Sequence, residues 1–167
     1  MKIAEAHLKF KQYTETNMTD SSIGSDKPRF IMLFRAAELR YIENVLDKRN
    51  EDEIRTISKL LVVDKVLGKV GDKETHSSFL LPKDYLEHAG AWAKASKDKC
   101  SDRIKLFEIK SEDIEESFPD ANSEPSFEYR ESFYHSASDE FLVYQKDFKA
   151  DKVFLTYYRL PRKVDIS

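Results

Sequence analysis

Glu108-Ile109-Lys110 is the segment whose residue types come nearest to a reactive site. In an extended strand residues i and i+2 share a face, so the carboxylate and the ammonium would stand side by side. A carboxylate can hold a divalent cation that stabilises charge developing at a phosphoryl centre. Such a site needs a second acid upstream, and Asp84 or Asp102 could serve. The four histidines, His7, His76, His88 and His135, are dispersed, and none has another histidine or cysteine two to four positions on. Cys100 is the only cysteine, which excludes an internal disulfide and leaves no C-x-x-C pair. These spacings support neither a metal centre nor a Cys/His nucleophile pair. The expectation is no enzyme: no catalytic residues, no metal ligands and no cofactor.

The E-x-K pattern resembles that of metal-dependent nucleases, but no Pro-Asp signature precedes it. In a chain with 35% charged residues it arises readily by chance, and an exposed strand face is the simpler reading. The acidic run Glu112, Asp113, Glu115 and Glu116 reads as a solvated face, or as the lining of a pore that must not hold a polyanion. Gly68 and Gly71 lie in GKVGDK, which carries neither nucleotide-binding fingerprint.

The elements that would position these residues belong to a chain of 167 residues with 40% hydrophobic content and a net charge of −3. That length suits a single domain able to bury its own core. A duplex-binding protein needs a basic face, and the overall charge suggests none. Residues 1–83 carry 15 basic and 13 acidic groups, whereas residues 84–167 carry 13 and 18, so the second half is mildly acidic. No run approaches the roughly 20 apolar residues needed to cross a bilayer. The start, MKIAEAHLKFKQYTE, lacks the apolar core of a signal peptide. The expectation is a soluble protein, made in the cytoplasm, with no membrane partner.

Periodicity predicts an α+β order, with an N-terminal helical bundle followed by a β-rich half ending in a hairpin. The helical part spans 1–67 and the mixed part 76–167. Helix one covers 2–16, with Ile3, Ala6, Phe10 and Tyr13 on one face. A polar connection, Asn17–Lys27, ends in the capping residues Ser25 and Asp26 before Pro28. Helix two runs to Lys48. Helix three starts near Asn50, whose side chain can cap it, and buries Ile54, Ile57, Leu60, Leu61 and Leu67. The expected bundle core is Phe30, Phe34, Ala37, Tyr41, Ile54, Ile57 and Leu61.

Beyond a turn-rich break at Gly68–Thr75, Phe79-Leu80-Leu81 reads as a strand ended by Pro82. Lys83–Ser96 reads as a helix with Tyr85, Leu86, Ala89, Trp92 and Ala93 on one side. Strands follow within 99–110 and 127–133. Ser111 opens a short turn or helix, and Phe118–Pro125 is a loop. Phe141–Ile166 reads as two strands joined at Asp147–Asp151. In the second, Val153, Leu155 and Tyr157 share one face while Phe154, Thr156 and Tyr158 share the other. Both faces are apolar or aromatic, so both must be covered, which points to assembly.

Three blocks carry a resemblance: MKIAEAHLKFKQYTET with RFIMLFRAAELRYIENVLDK, then FLLPKDYLEHAGAWAKASKDKC, then the stretch from Glu124 to Ile166. Pro82-Lys83-Asp84-Tyr85 and Tyr157-Tyr158-Arg159-Leu160-Pro161 are the most specific pieces. Together they resemble the head-to-tail connector (ring or adaptor) proteins of short-tailed phages, most nearly the ring proteins of crAss-like phages. The resemblance implies a virion structural protein at the portal vertex, in a closed ring of twelve subunits. Its partners would be the portal and other neck or tail proteins, with genomic DNA passing through the lumen without specific binding. A minor tail or tail-tube completion protein is the alternative within the same biology. Pro82 would end a strand and Asp84 cap the following helix. Tyr157, Tyr158, Arg159 and Pro161 would meet a neighbouring subunit or ring, the alternative being that the aromatics, Tyr157 above all, fill the domain's own core. Arg159 and Arg162 suit an interface because buried unpaired charges are costly.

Overall fold

A computed structural model describes residues 3–17, 27–48, 50–110 and 124–162. Residues 18–26, with the capping candidates Ser25 and Asp26, lie outside the described residues. So do residues 111–123, with Ser111, the acidic run and most of the Phe118–Pro125 loop. The chain forms two compact units, Met1–Lys59 with Pro161–Ser167, and Leu60–Leu160.

The first unit carries α1 (Ile3–Asn17), α2 (Lys27–Lys48) and the short α3 (Glu51–Ile57). Phe30 joins α2 to α1, its ring centroid 4.8 Å from that of His7 and 5.2 Å from that of Phe10. Asn50 caps α3, its side chain accepting from the Asp52 amide at 3.1 Å, while Glu51, Asp52 and Glu53 occupy the positive end of the dipole. The expected helical bundle is corrected here. The third helix stops at Ile57, and a single 3-10 turn, Ser58–Leu60, leads into a strand at Leu61. Ala37 and Tyr41 are exposed, and α2 buries Phe30, Ile42 and Val45 instead. Phe30 and Ile42 lie on one i, i+4 row with the half-buried Phe34, and Val45 follows Ile42 at i+3, so the buried face is rotated from the expected stripe.

The second unit is one eight-stranded sheet. Its strands are β1 (Leu61–Val66), β2 (Gly68–Asp72), β3 (His76–Leu80), β4 (Tyr85–Lys97), β5 (Cys100–Glu108), β6 (Glu131–Ala137), β7 (Glu140–Tyr144) and β8 (Lys149–Arg159). They lie in the order β1-β8-β4-β5-β6-β7-β3-β2, antiparallel except for the β5–β6 pair. The two end strands are consecutive in the chain, so the sheet curls. The Leu67 amide between them donates to Val153 on β8 at 2.9 Å, and Lys69 of β2 donates to the Ala150 carbonyl at 2.9 Å. Inside the curl lie Phe79, Ala93, Ala95, Ile104, Leu106, Tyr134, Phe141, Val143, Phe148, Val153, Leu155 and Tyr157.

Two further expectations are overturned. Lys83–Ser96 is the strand β4 rather than a helix. Alanine has high helix propensity, but in this fold Ala91, Ala93 and Ala95 alternate inward, where only small side chains fit between β8 and β5. The terminal hairpin is also absent, because β7 lies between β6 and β3 while β8 lies between β1 and β4. The link between them is not a tight turn. Phe148 is buried in the core, and Gln145 anchors the link to the β2–β3 turn. Its amide donates to Lys73 O at 2.8 Å and to Asp72 Oδ1 at 3.1 Å, and its Oε1 accepts from the Ala150 amide at 3.1 Å. The Ser77 hydroxyl completes the cluster, 2.8 Å from Asp72 Oδ1. That hydrogen bond, with help from Lys69 and Gln145, outweighs partial desolvation and holds the Asp72 carboxyl at about 2.

Candidate interface

Strand β8 carries most of the residues singled out for subunit contact. Its alternation follows from the period of two: Val153, Leu155 and Tyr157 point into the curl and are buried. Phe154, Thr156 and Tyr158 occupy the outer face and are half-buried. Part of that outer cover comes from the chain itself. The Phe154 ring stacks on Trp92 of β4 at 3.8 Å and 4°, and the Arg103 guanidinium lies 4.0 Å above the Trp92 ring. Trp92 Nε1 donates to Asp64 Oδ1 at 2.8 Å, and the Asp64 amide donates to Thr156 Oγ1 at 3.2 Å.

Tyr157 therefore faces inward, 2% exposed, with no surface to offer a neighbour. Its hydroxyl donates to Asp84 Oδ1 at 2.9 Å, and its ring centroid lies 5.8 Å from that of Tyr85. Burial, reinforced by the Asp84 carboxylate, pushes the Tyr157 phenol up to about 12. Asp84 precedes a strand, so it caps no helix; instead its carbonyl accepts the Leu160 amide at 2.7 Å. The two sequence pieces Pro82–Tyr85 and Tyr157–Pro161 are thus joined at one point. Beyond it, Tyr158, Arg159 and Pro161 are half-buried and Arg162 is exposed. Arg159 Nε is buried without a hydrogen-bond partner among the described residues.

Further along β4, His88 lies between two acids, Nδ1 3.7 Å from Glu87 and Nε2 3.5 Å from Glu108. Behind them Tyr85 is pushed up to about 12 by burial, with Glu87 and Glu108 adding to it. Burial and the Glu108 charge also raise the Tyr134 phenol, whose buried hydroxyl has no partner among the described residues.

The carboxylates considered for metal chemistry have separate partners. Glu108 faces His88, Asp102 pairs with Arg130 at 3.0 Å, and Asp84 holds Tyr157. Among the described residues no three His, Cys, Asp or Glu side chains are grouped to hold a metal ion. Cys100 is exposed at the start of β5. No helix among the described residues is long and apolar enough to cross a membrane.

The Trp92–Phe154–Arg103 layer and the Gln145 cluster were not foreseen from the sequence. The alternation Ala91-Trp92-Ala93-Lys94-Ala95-Ser96 is the signal for the first, since it puts alanines on one face and long side chains on the other. Compared with known proteins, the chain matches no protein-family model and no curated protein sequence.

Proposed function

We propose that this chain is a virion structural protein that assembles into a closed ring of twelve subunits between a phage portal and its tail, extending the DNA channel without catalytic turnover. The sequence resemblance of the Pro82–Tyr85 and Tyr157–Pro161 pieces supports the placement. One structural observation supports assembly. The sheet order ends at β1 and β2, and these edges carry exposed Val63, Val66 and Val70, with the exposed Leu80 directly opposite Gly68. Clustered exposed apolar side chains recruit apolar surfaces of a partner. Repeated head-to-tail contacts close into a ring when the rotation per subunit divides a full turn.

The test is to locate the protein in intact particles by electron microscopy and to measure the mass of the purified assembly with and without portal. Density for this fold in a ring below the portal is the expected result. Its absence from the portal vertex, or a monomer that ignores portal rings, sinks the reading. Incubation with DNA and magnesium or manganese should leave the DNA intact. Cleavage that vanishes in Glu108→Gln would instead make the protein a nuclease.

A further inference from the structure

Strand register brings together three cations that the sequence keeps far apart. Lys94 on β4 stands directly opposite Lys152 on β8 and directly opposite Arg103 on β5. All three are exposed and form one row across adjacent strands, each about 4.8 Å from the next strand. Like charges directly opposite one another destabilise a sheet. No carboxylate among the described residues lies within ion-pair distance of Lys94, Lys152, Arg103 or the neighbouring Lys105. The acids close by are committed elsewhere: Asp64 to Trp92, Asp102 to Arg130 and Asp151 to Ser96. Glu131 stands opposite Lys105 in the parallel register without pairing to it.

The next row along the same face is aromatic. Phe154, Trp92 and Lys105 are in register, and Arg103 presents its flat guanidinium over the Trp92 ring. Lys105 Nζ lies 4.6 Å from the centroid of Phe107. Beside Trp92 a groove of about 510 Å³ opens over Gly90, its lining including Asp64, Ala89, Arg103, Lys105 and Arg130. A Cβ at Gly90 would meet nothing within 4 Å, so the floor is unobstructed.

We propose that this outer face of β8, β4 and β5 binds single-stranded nucleic acid, the cationic row following the phosphates and the groove receiving a base. The inference is independent of the ring reading. Two features favour this ligand over an acidic protein surface. Two of the three row cations are lysines, compact charges without the fork that suits a carboxylate. The Arg103 guanidinium, layered on Trp92, presents its outer side for stacking, which bases use and carboxylates do not. A duplex is disfavoured because the face offers no helix or ribbon to enter a groove. The overall charge concealed the site, since Lys94 and Lys152 meet only through strand pairing.

Trp92 is the only tryptophan, so its fluorescence reports directly on this face. The whole protein is titrated with an oligothymidylate, with a duplex of equal length and with polyglutamate. Binding of the oligothymidylate should weaken with salt, with a slope of about −0.7 per phosphate neutralised. The double variant Lys94→Ala/Lys152→Ala should bind about tenfold more weakly at low salt, with the slope reduced by about 1.4. Its melting temperature should hold or rise, because the like-charge row is gone. A purely structural face would give that stability change with no change in binding. The proposal fails if the oligothymidylate does not bind at low salt, if the double variant binds unchanged, or if polyglutamate or the duplex binds as tightly.

Discussion

Asp84 accepts the Tyr157 hydroxyl at 2.9 Å and the Leu160 amide at 2.7 Å, one through its carboxylate and the other through its carbonyl. One residue thereby fixes the end of the β4–β8 pair from a position 73 residues away in sequence. Tyr157→Phe keeps the buried ring and removes only the hydroxyl, so it should cost about 1–2 kcal/mol, toward the low end because Asp84 is exposed. Urea unfolding of Tyr157→Phe, Asp84→Ala and the double variant checks this. Fully additive losses would show that the two groups do not interact.

The same burial predicts alkaline sensitivity. The unfolded Tyr157 phenol ionises near 10, whereas the folded one is held to about 12. Between those values the unfolded chain has lost a proton that the folded chain keeps, so stability falls as pH rises. The slope is about 1.4 kcal/mol per pH unit for this group. Tyr134, raised by burial, adds to the loss in the same direction. Unfolding midpoints at stepped pH, followed with tyrosinate absorbance, should show a decline beginning near pH 10 that is shallower in Tyr157→Phe.

Gln145 is 5% exposed and joins the β2–β3 turn to the start of β8. Gln145→Leu fills the space but orphans the Ala150 amide and the Lys73 carbonyl. A loss of about 2–3 kcal/mol is expected in denaturant unfolding. Hydrogen exchange should localise the opening to the Ala150 amide and the 73–77 turn. A loss below about half a kcal/mol would show that water replaces the amide.

Ala93 separates a strand from a helix at this position. It is fully buried between β8 and β5, so Ala93→Leu must overpack the core, at about 1–3 kcal/mol. A solvent-facing control, Ser101→Leu on β5, should stay within about half a kcal/mol. Equal tolerance at both sites in thermal melts would argue against the inward alanine row.

Arg159 is half-buried, and its Nε lacks a partner among the described residues. A buried guanidinium nitrogen seeks an acceptor, and in the proposed ring a carboxylate of a neighbouring subunit supplies it. Arg159→Glu should leave the monomer folded by circular dichroism yet exclude it from particles. Normal copy number in purified virions would place the contact elsewhere.

What the sequence by itself determined was local. Alternation along β8 assigned Val153, Leu155 and Tyr157 to one face, and Asn50 was readable as a cap, because side-chain period and capping chemistry act within a few residues. Which strands pair was decided only by the tertiary structure. An alanine-rich segment with strong helix propensity became β4 because its neighbours supplied backbone partners and left room for little more than a methyl group. The neighbouring strands β7 and β8 separated because Phe148 entered the core and Gln145 bound a distant turn. Tyr157 meeting Asp84, and Lys94 standing between Lys152 and Arg103, follow from that pairing, and local periodicity carries no information about register between segments tens of residues apart.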